Sequence, residues 1–143
     1  MLYFAYGSNL CRAGMGARCP AAEALGRAAL PDHRLVFRTW ADIEPCVGTE
    51  VAGGLWRITP SCEAALDLYE DLAGGLYRRV LARVWREGAA EPAEALVYRM
   101  TATTREPPDP AYLATMLQGC RDFGLDECAI LSAAAKAGAA GST

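Results

Sequence analysis

Two stretches of this chain pair residue types with spacings that could do chemistry. The first is Tyr6-Gly7-Ser8-Asn9-Leu10. Small residues at the end of a strand leave backbone N–H groups bare and free to point into a shared space. Consecutive amide dipoles there attract an anion, a substrate carboxylate as readily as a phosphate. Read alone, the same residues also describe an ordinary turn in which Ser8 and Asn9 bond locally. The second is Glu70. Leu66, Tyr69, Glu70 and Ala73 fall at i, i+3, i+4 and i+7 of a helix, so the carboxylate shares the stripe that should face the interior. Burial disfavours the charged form and lifts a glutamate from its reference of about 4.3 towards neutrality, the tuning a general acid/base requires. The competing reading is a solvated glutamate at the edge of the stripe, paired with Arg78 or Arg79. Glu63 and Asp67 read as solvated surface.

Three tyrosines follow as candidate pocket residues: Tyr77 opening a long strand, Tyr98 in the returning strand, and Tyr112 in the first turn of a helix. Tyrosine supplies an apolar wall with one hydroxyl to position a polar ligand, although packing with the tip at the surface is its commoner use. Trp40, Trp56 and Trp85 are assigned to core or pocket wall. The one histidine, His33, lies in a Pro-Asp-His-Arg turn and gives no cysteine a base, so Cys–His catalysis is poorly supplied. No GxGxxG, GxxxxGK[ST] or GxSxG pattern occurs, which removes the common dinucleotide, nucleoside triphosphate and serine-hydrolase signatures.

The elements that must position these residues are legible in outline. Leu2 to Tyr6 is a short strand stopped by Gly7-Ser8-Asn9. Leu35-Val36-Phe37 and Val51 to Ile58 read as further strands, with Gly53-Gly54 permitting a bulge or the close approach of another backbone. Thr59-Pro60 caps and starts a helix expected to run to about Leu72, before Gly74-Gly75. Leu76 to Arg86 alternates, Val80, Ala82 and Val84 on one face, and Ala95 to Met100 returns as the second strand of a hairpin. Asp109-Pro110 repeats the cap-plus-proline start for a helix carrying Leu113, Met116, Leu117 and Cys120 and ending at Gly124. A last helix spans about Asp126 to Lys136. The Ala/Gly tail, residues 137–143, has little to bury and is expected to fray, leaving one domain over residues 1–136. Strands in the middle and helices at the end make an α+β domain.

Composition bounds the partners. A chain of 143 residues with 52% hydrophobic residues and a net charge of -3 suits one domain around one core and lacks the basic excess of a nucleic-acid binder. No apolar run reaches the about 18 residues of a membrane span, and the N-terminus lacks the pattern of a secretory signal, so the expected location is cytoplasmic and no membrane partner is expected. The 6 cysteines, Cys11, Cys19, Cys46, Cys62, Cys120 and Cys128, contain no CxxC pair and read as free thiols, with no metal site expected. A homodimer would use the exposed face of the terminal helices, a face that amphipathic helices usually bury within their own domain.

Taken in order, Tyr3 to Leu10, Gly53-Gly54-Leu55-Trp56, Leu66-Asp67-Leu68-Tyr69-Glu70 and Gly75-Leu76-Tyr77-Arg78-Arg79 resemble the γ-glutamylcyclotransferase family, also called AIG2-like. Pro107 to Leu113 and Gly119 to Leu125 extend the likeness over nearly the whole chain. The resemblance implies a small mixed β-barrel with surrounding helices. It implies an enzyme that converts a γ-glutamyl amide or peptide into 5-oxoproline and a free amine or amino acid, with no cofactor. Glu70 would be the acid/base, and Tyr6, Gly7, Ser8, Asn9, Leu10, Tyr77, Tyr98 and Tyr112 would contact the small γ-glutamyl substrate. The family commonly has glycine after this glutamate, where Asp71 stands here. Pointing inward, Asp71 would raise the Glu70 pKa further by like-charge repulsion, and the departure bears on substrate preference more than on the reaction. A non-catalytic binding module of the same fold and a related amide-bond enzyme acting on a γ-glutamylated metabolite or protein are the alternatives.

Overall fold

The aromatic run Leu2–Ala5 forms strand β1, suited to a pleated surface buried on both faces. In the computed structural model, which describes residues 1–141, β1 pairs antiparallel with the end of a long hairpin made of β2 (Glu23–Arg38) and β3 (Trp40–Arg57). A second antiparallel hairpin joins β4 (Tyr77–Arg86) to β5 (Ala93–Met100). Ala28 and Ala29 pair with Arg86 and Trp85 to link the hairpins, and the parallel pair Tyr3–Leu96 closes the ring in the order β1-β3-β2-β4-β5. Ring closure removes the free sheet edges that invite association. Phe4, Leu55, Val84, Leu96 and Val97 lie almost wholly out of solvent within the core. The molecule is the α+β barrel expected, with helices α1 (Arg12–Arg18), α2 (Pro60–Tyr69), α3 (Pro110–Phe123) and α4 (Cys128–Gly141) around it.

The Gly53 expectation holds: a Cβ there would stand 2.4 Å from the Ala5 carbonyl oxygen, so the β1–β3 contact admits only glycine. Both cap-plus-proline starts are present. The Thr59 side chain accepts from the Cys62 N–H and that of Asp109 from the Ala111 N–H, and left-handed Gly124 ends α3.

Several boundaries differ from the sequence reading, each for a local reason. β2 begins at Glu23, well before Leu35, because Glu23 to Leu30 is rich in alanine and is held extended by its ladder to β3 rather than by propensity. Pro31 to Arg34 is not a turn but part of β2, interrupted by a register shift at Asp32 (φ 58), so His33 sits on the hairpin, paired with Pro45. α1 shows no apolar period because it buries only Met15 and carries Gly14 and Gly16. α2 stops at Tyr69 instead of Leu72, since Asp71 adopts a left-handed φ of 53. α4 continues past Lys136 and buries Ala137 completely, so order does not end where the alanine tail begins. Residues 142 and 143 of the expected frayed tail lie outside the described residues. Among those described, no helix is long and apolar enough to cross a membrane, and all six cysteines are free thiols.

Candidate active site

The turn after β1 and the end of α2 meet. Ser8–Leu10 is a single 3-10 turn, closed by Leu10 N–H to the Gly7 carbonyl at 3.1 Å. It is held from behind by α3, where Gly119 packs so closely that a Cβ would stand 2.3 Å from that of Leu10. The amides of Gly7 and Asn9 have no acceptor among the described residues, and the Ser8 amide faces the Tyr112 hydroxyl. This is the set of bare N–H groups that the sequence offered as one of two readings.

Glu70 arrives from the other side. Its N–H still bonds to the Leu66 carbonyl at 2.8 Å, so the residue is fixed at the last turn of α2 although its backbone has left the helix. The inward stripe is Cys62, Leu66 and Glu70, not the Leu66, Tyr69, Glu70 and Ala73 of the sequence reading; Tyr69 is 42% exposed. Asn9 Nδ2 reaches Glu70 Oε1 at a long 3.4 Å while donating to the Tyr3 hydroxyl at 3.0 Å. Burial pushes the Glu70 carboxyl up to about 7, and the Arg18 guanidinium pulls in the opposite direction. Asp71 contributes nothing to that rise. It is exposed and accepts from the Gly74 N–H at 3.1 Å, so the inward orientation that would have raised the Glu70 pKa further does not occur.

Neither Arg78 nor Arg79 pairs with Glu70. Arg79 instead binds Glu63 and Asp67, tying α2 to β4, so those two carboxylates are structural partners rather than solvated surface. The Tyr98 hydroxyl donates to Asp67 Oδ1 at 2.6 Å and adds a second tie.

Tyr3, Tyr6, Gly7, Ser8, Asn9, Glu70, Tyr77, Tyr98 and Tyr112 line one cavity of about 20 Å³, room for about one water as it stands. Leu10 is the predicted site residue that the fold does not bring there; it is fully buried in the core against Gly119. The tyrosines are anchored to main chain. Tyr6 donates to the Tyr98 carbonyl, Tyr77 donates to the Ala41 carbonyl at 2.6 Å, and the Ala41 N–H donates to Tyr112 at 3.1 Å. Burial raises the Tyr77 and Tyr98 hydroxyls well above their usual range and Tyr112 to about 12, so all three stay protonated. Roomier hollows lie elsewhere, one of about 250 Å³ between the β2–β3 hairpin and α4, but neither it nor the one beside Trp85 contains Glu70.

Sequence reasoning missed three supports. Tyr3 stands in the run that drew attention, yet only the fold turns its hydroxyl towards Asn9. Arg18 ends α1, donates to Asn9 Oδ1 (2.9 Å from Nε) and stacks on the Tyr69 ring at 3.8 Å. Asp42, 2% exposed, follows Ala41 and ties this part of β3 to Met100 and Arg38. No local spacing connects either charge to the site. Because Arg18 lowers the Glu70 pKa, Arg18→Gln is expected to move the rising limb of the pH–rate profile to higher pH, and a limb that stays in place would show that the guanidinium only packs.

Comparison with known proteins follows the same residues. Residues 3–115 match the family described as gamma-glutamyl cyclotransferase, AIG2-like. The gamma-glutamylcyclotransferases of Bos taurus and Homo sapiens are each 32% identical over 136 residues, covering 87% of this chain and 72% of theirs. A solved gamma-glutamyl cyclotransferase superposes with a TM-score of 0.79 at 31% identity, over 87% of this chain and 80% of that one. YkqA from Bacillus subtilis, at 24% identity and a TM-score of 0.72, shares the fold over 90% of this chain and 51% of its own.

Proposed function

The chain belongs to the gamma-glutamyl cyclotransferase, AIG2-like family and is an enzyme of the γ-glutamylcyclotransferase type; from that premise we propose that Glu70 is its general acid/base. The observation that carries this reading is a carboxyl with a pKa near 7 in the same cavity as the bare amides of the Gly7–Asn9 turn. The substrate is a γ-glutamyl amide or peptide and the products are 5-oxoproline and a free amine or amino acid.

The Glu70 carboxylate takes a proton from the substrate α-ammonium. The freed nitrogen attacks the γ-carbonyl carbon of its own chain, the new C–N bond closes a five-membered ring, and the carbonyl oxygen becomes an oxyanion facing the Gly7 and Asn9 amides. As the oxyanion collapses, the original amide C–N bond breaks and Glu70 returns its proton to the departing nitrogen. The second proton shed by the ring nitrogen goes to solvent, and the released amine takes one up. Because attack is intramolecular, the protein mainly holds the folded substrate in place, and orientation of this kind can supply about 7–11 kcal/mol of a barrier. The tyrosines, with hydroxyls tied to main chain or to Asp67, give the pocket fixed walls. The γ-glutamyl head needs more room than the cavity now offers, and the space it draws on adjoins through Ser8, Glu70, Tyr77 and Tyr112.

Mass-spectrometric product analysis with γ-glutamyl amino acids and γ-glutamyl amines tests the proposal. Wild type is expected to release 5-oxoproline. Release of glutamate would mean hydrolysis instead, and a melting-temperature shift without any product would favour a binding module.

A further inference from the structure

Beside the cavity that holds Glu70 lies a vestibule of about 180 Å³, lined by Ser8, Trp40, Tyr69, Glu70, Leu76, Tyr77 and Tyr112. Four of these residues, Ser8, Glu70, Tyr77 and Tyr112, also line the inner cavity, so the two spaces adjoin across these side chains. What the vestibule adds is Trp40, Tyr69 and Leu76, two aromatic rings and an aliphatic side chain. Trp40 and Tyr69 are each 42% exposed, unusual for large rings with core available. Trp40 is the first residue of β3, immediately after Thr39 at φ 71 in the tight turn from β2. Tyr69 has its hydroxyl 2.8 Å from Ser8 Oγ and its ring stacked on Arg18.

The polarity of the two spaces divides the substrate between them. Amides, Asn9 and the carboxyl of Glu70 suit the charged γ-glutamyl head, which leaves the far side of the scissile amide to emerge among Trp40, Tyr69 and Leu76. No Arg, Lys or His lines the vestibule. A carboxylate on the leaving group would therefore face Glu70 without a cation to pair with, since Arg18 is engaged by Asn9 and the Tyr69 ring. A second ammonium would find only Glu70, which the α-ammonium already requires. An uncharged aromatic group meets neither obstacle and gains ring contacts on two sides. We infer that the Trp40, Tyr69 and Leu76 end of this vestibule, beyond the part at Ser8 and Glu70 that the γ-glutamyl head draws on, is the leaving-group subsite and that the preferred substrates are γ-glutamyl amides of uncharged, aromatic amines, with Trp40 and Tyr69 as the walls that select them. The inference rests on the cyclotransferase reading of the same site.

The test compares γ-L-glutamyl-phenethylamide, γ-L-glutamyl-L-alanine and γ-L-glutamyl-putrescine as substrates of the full-length protein, reading 5-oxoproline. The phenethylamide is expected to show kcat/KM about tenfold or more above the other two, a ring contact of roughly 1–1.5 kcal/mol at one decade per 1.4 kcal/mol. Trp40→Ala should collapse that ratio towards one, and circular dichroism confirms that the variant folds. Turnover of the alanine or putrescine compound at an equal or higher rate overturns the inference and leaves the reaction standing, as does a ratio that Trp40→Ala leaves unchanged. Absence of 5-oxoproline from all three overturns the reaction and the inference together.

Discussion

Glu70→Gln lowers 5-oxoproline release by a factor of about 10² to 10⁴, the range for removing one positioned acid/base, and at the same time makes the protein more stable at neutral pH. Glutamine keeps the shape and an acceptor for Asn9 but moves no proton. The stability gain follows from linkage. The Glu70 carboxyl is raised from 4.5 to about 7 by burial, so the folded state binds this proton more tightly than the unfolded state. The favourable contribution of the neutral acid is full below 4.5 and is lost as pH rises through about 7, because the folded protein must then bury a charge. At pH 8 the cost is on the order of 1–3 kcal/mol. Urea denaturation should accordingly find Glu70→Gln more stable than wild type by about that amount at pH 8, with the difference vanishing near pH 4. The wild-type pH–rate profile should rise through about 7 as the carboxylate form appears. A variant that retains more than a tenth of the activity would remove Glu70 from the chemistry.

Asp42→Ala has the largest expected effect on folding. Asp42 accepts from Arg38 Nε at 2.8 Å and from the Met100 N–H at 2.9 Å; Asp42 is buried and Arg38 is partly so. Removing one member of a buried pair leaves the other charge uncompensated, at a cost of about 3–5 kcal/mol. Here the Met100 amide is orphaned as well, while Glu44 at 3.1 Å and the Thr103 carbonyl at 2.8 Å remain to Arg38 and hold the loss to the lower part of that range. Activity should fall beyond what unfolding explains, because the neighbouring residue Ala41 holds both Tyr77 and Tyr112. Asp42→Asn, which keeps a carbonyl oxygen for Met100, should recover part of the stability. A denaturation midpoint unchanged in Asp42→Ala would show that Arg38 and Met100 find other partners without loss.

These two residues mark how much of the site the sequence exposed. Glu70 could be found because its helix has a legible start at Thr59-Pro60 and a period that places position 70 near the interior. The Gly7–Asn9 turn could be found because small residues after an aromatic strand are themselves the signal. Asp42 could not, since a carboxylate between Ala41 and Ile43 looks like any other strand position until Met100 and Arg38 are folded around it. Leu10 shows the opposite error. The family resemblance implied a pocket residue, but a 3-10 turn rotates successive side chains apart, and Leu10 packs against Gly119 in the core.

By itself, then, the sequence determined the α+β class, the two capped helices, the β4–β5 hairpin and the family, all of which depend on local propensity, spacing or order along the chain. Only the tertiary structure decided that β2 runs extended through alanines, that a glycine-rich segment makes helix α1, and that Ala137 is core. Each of these is held by partners far away in sequence. The same holds for the pKa of Glu70: the residue is local, but the burial that raises it is supplied by other elements of the fold.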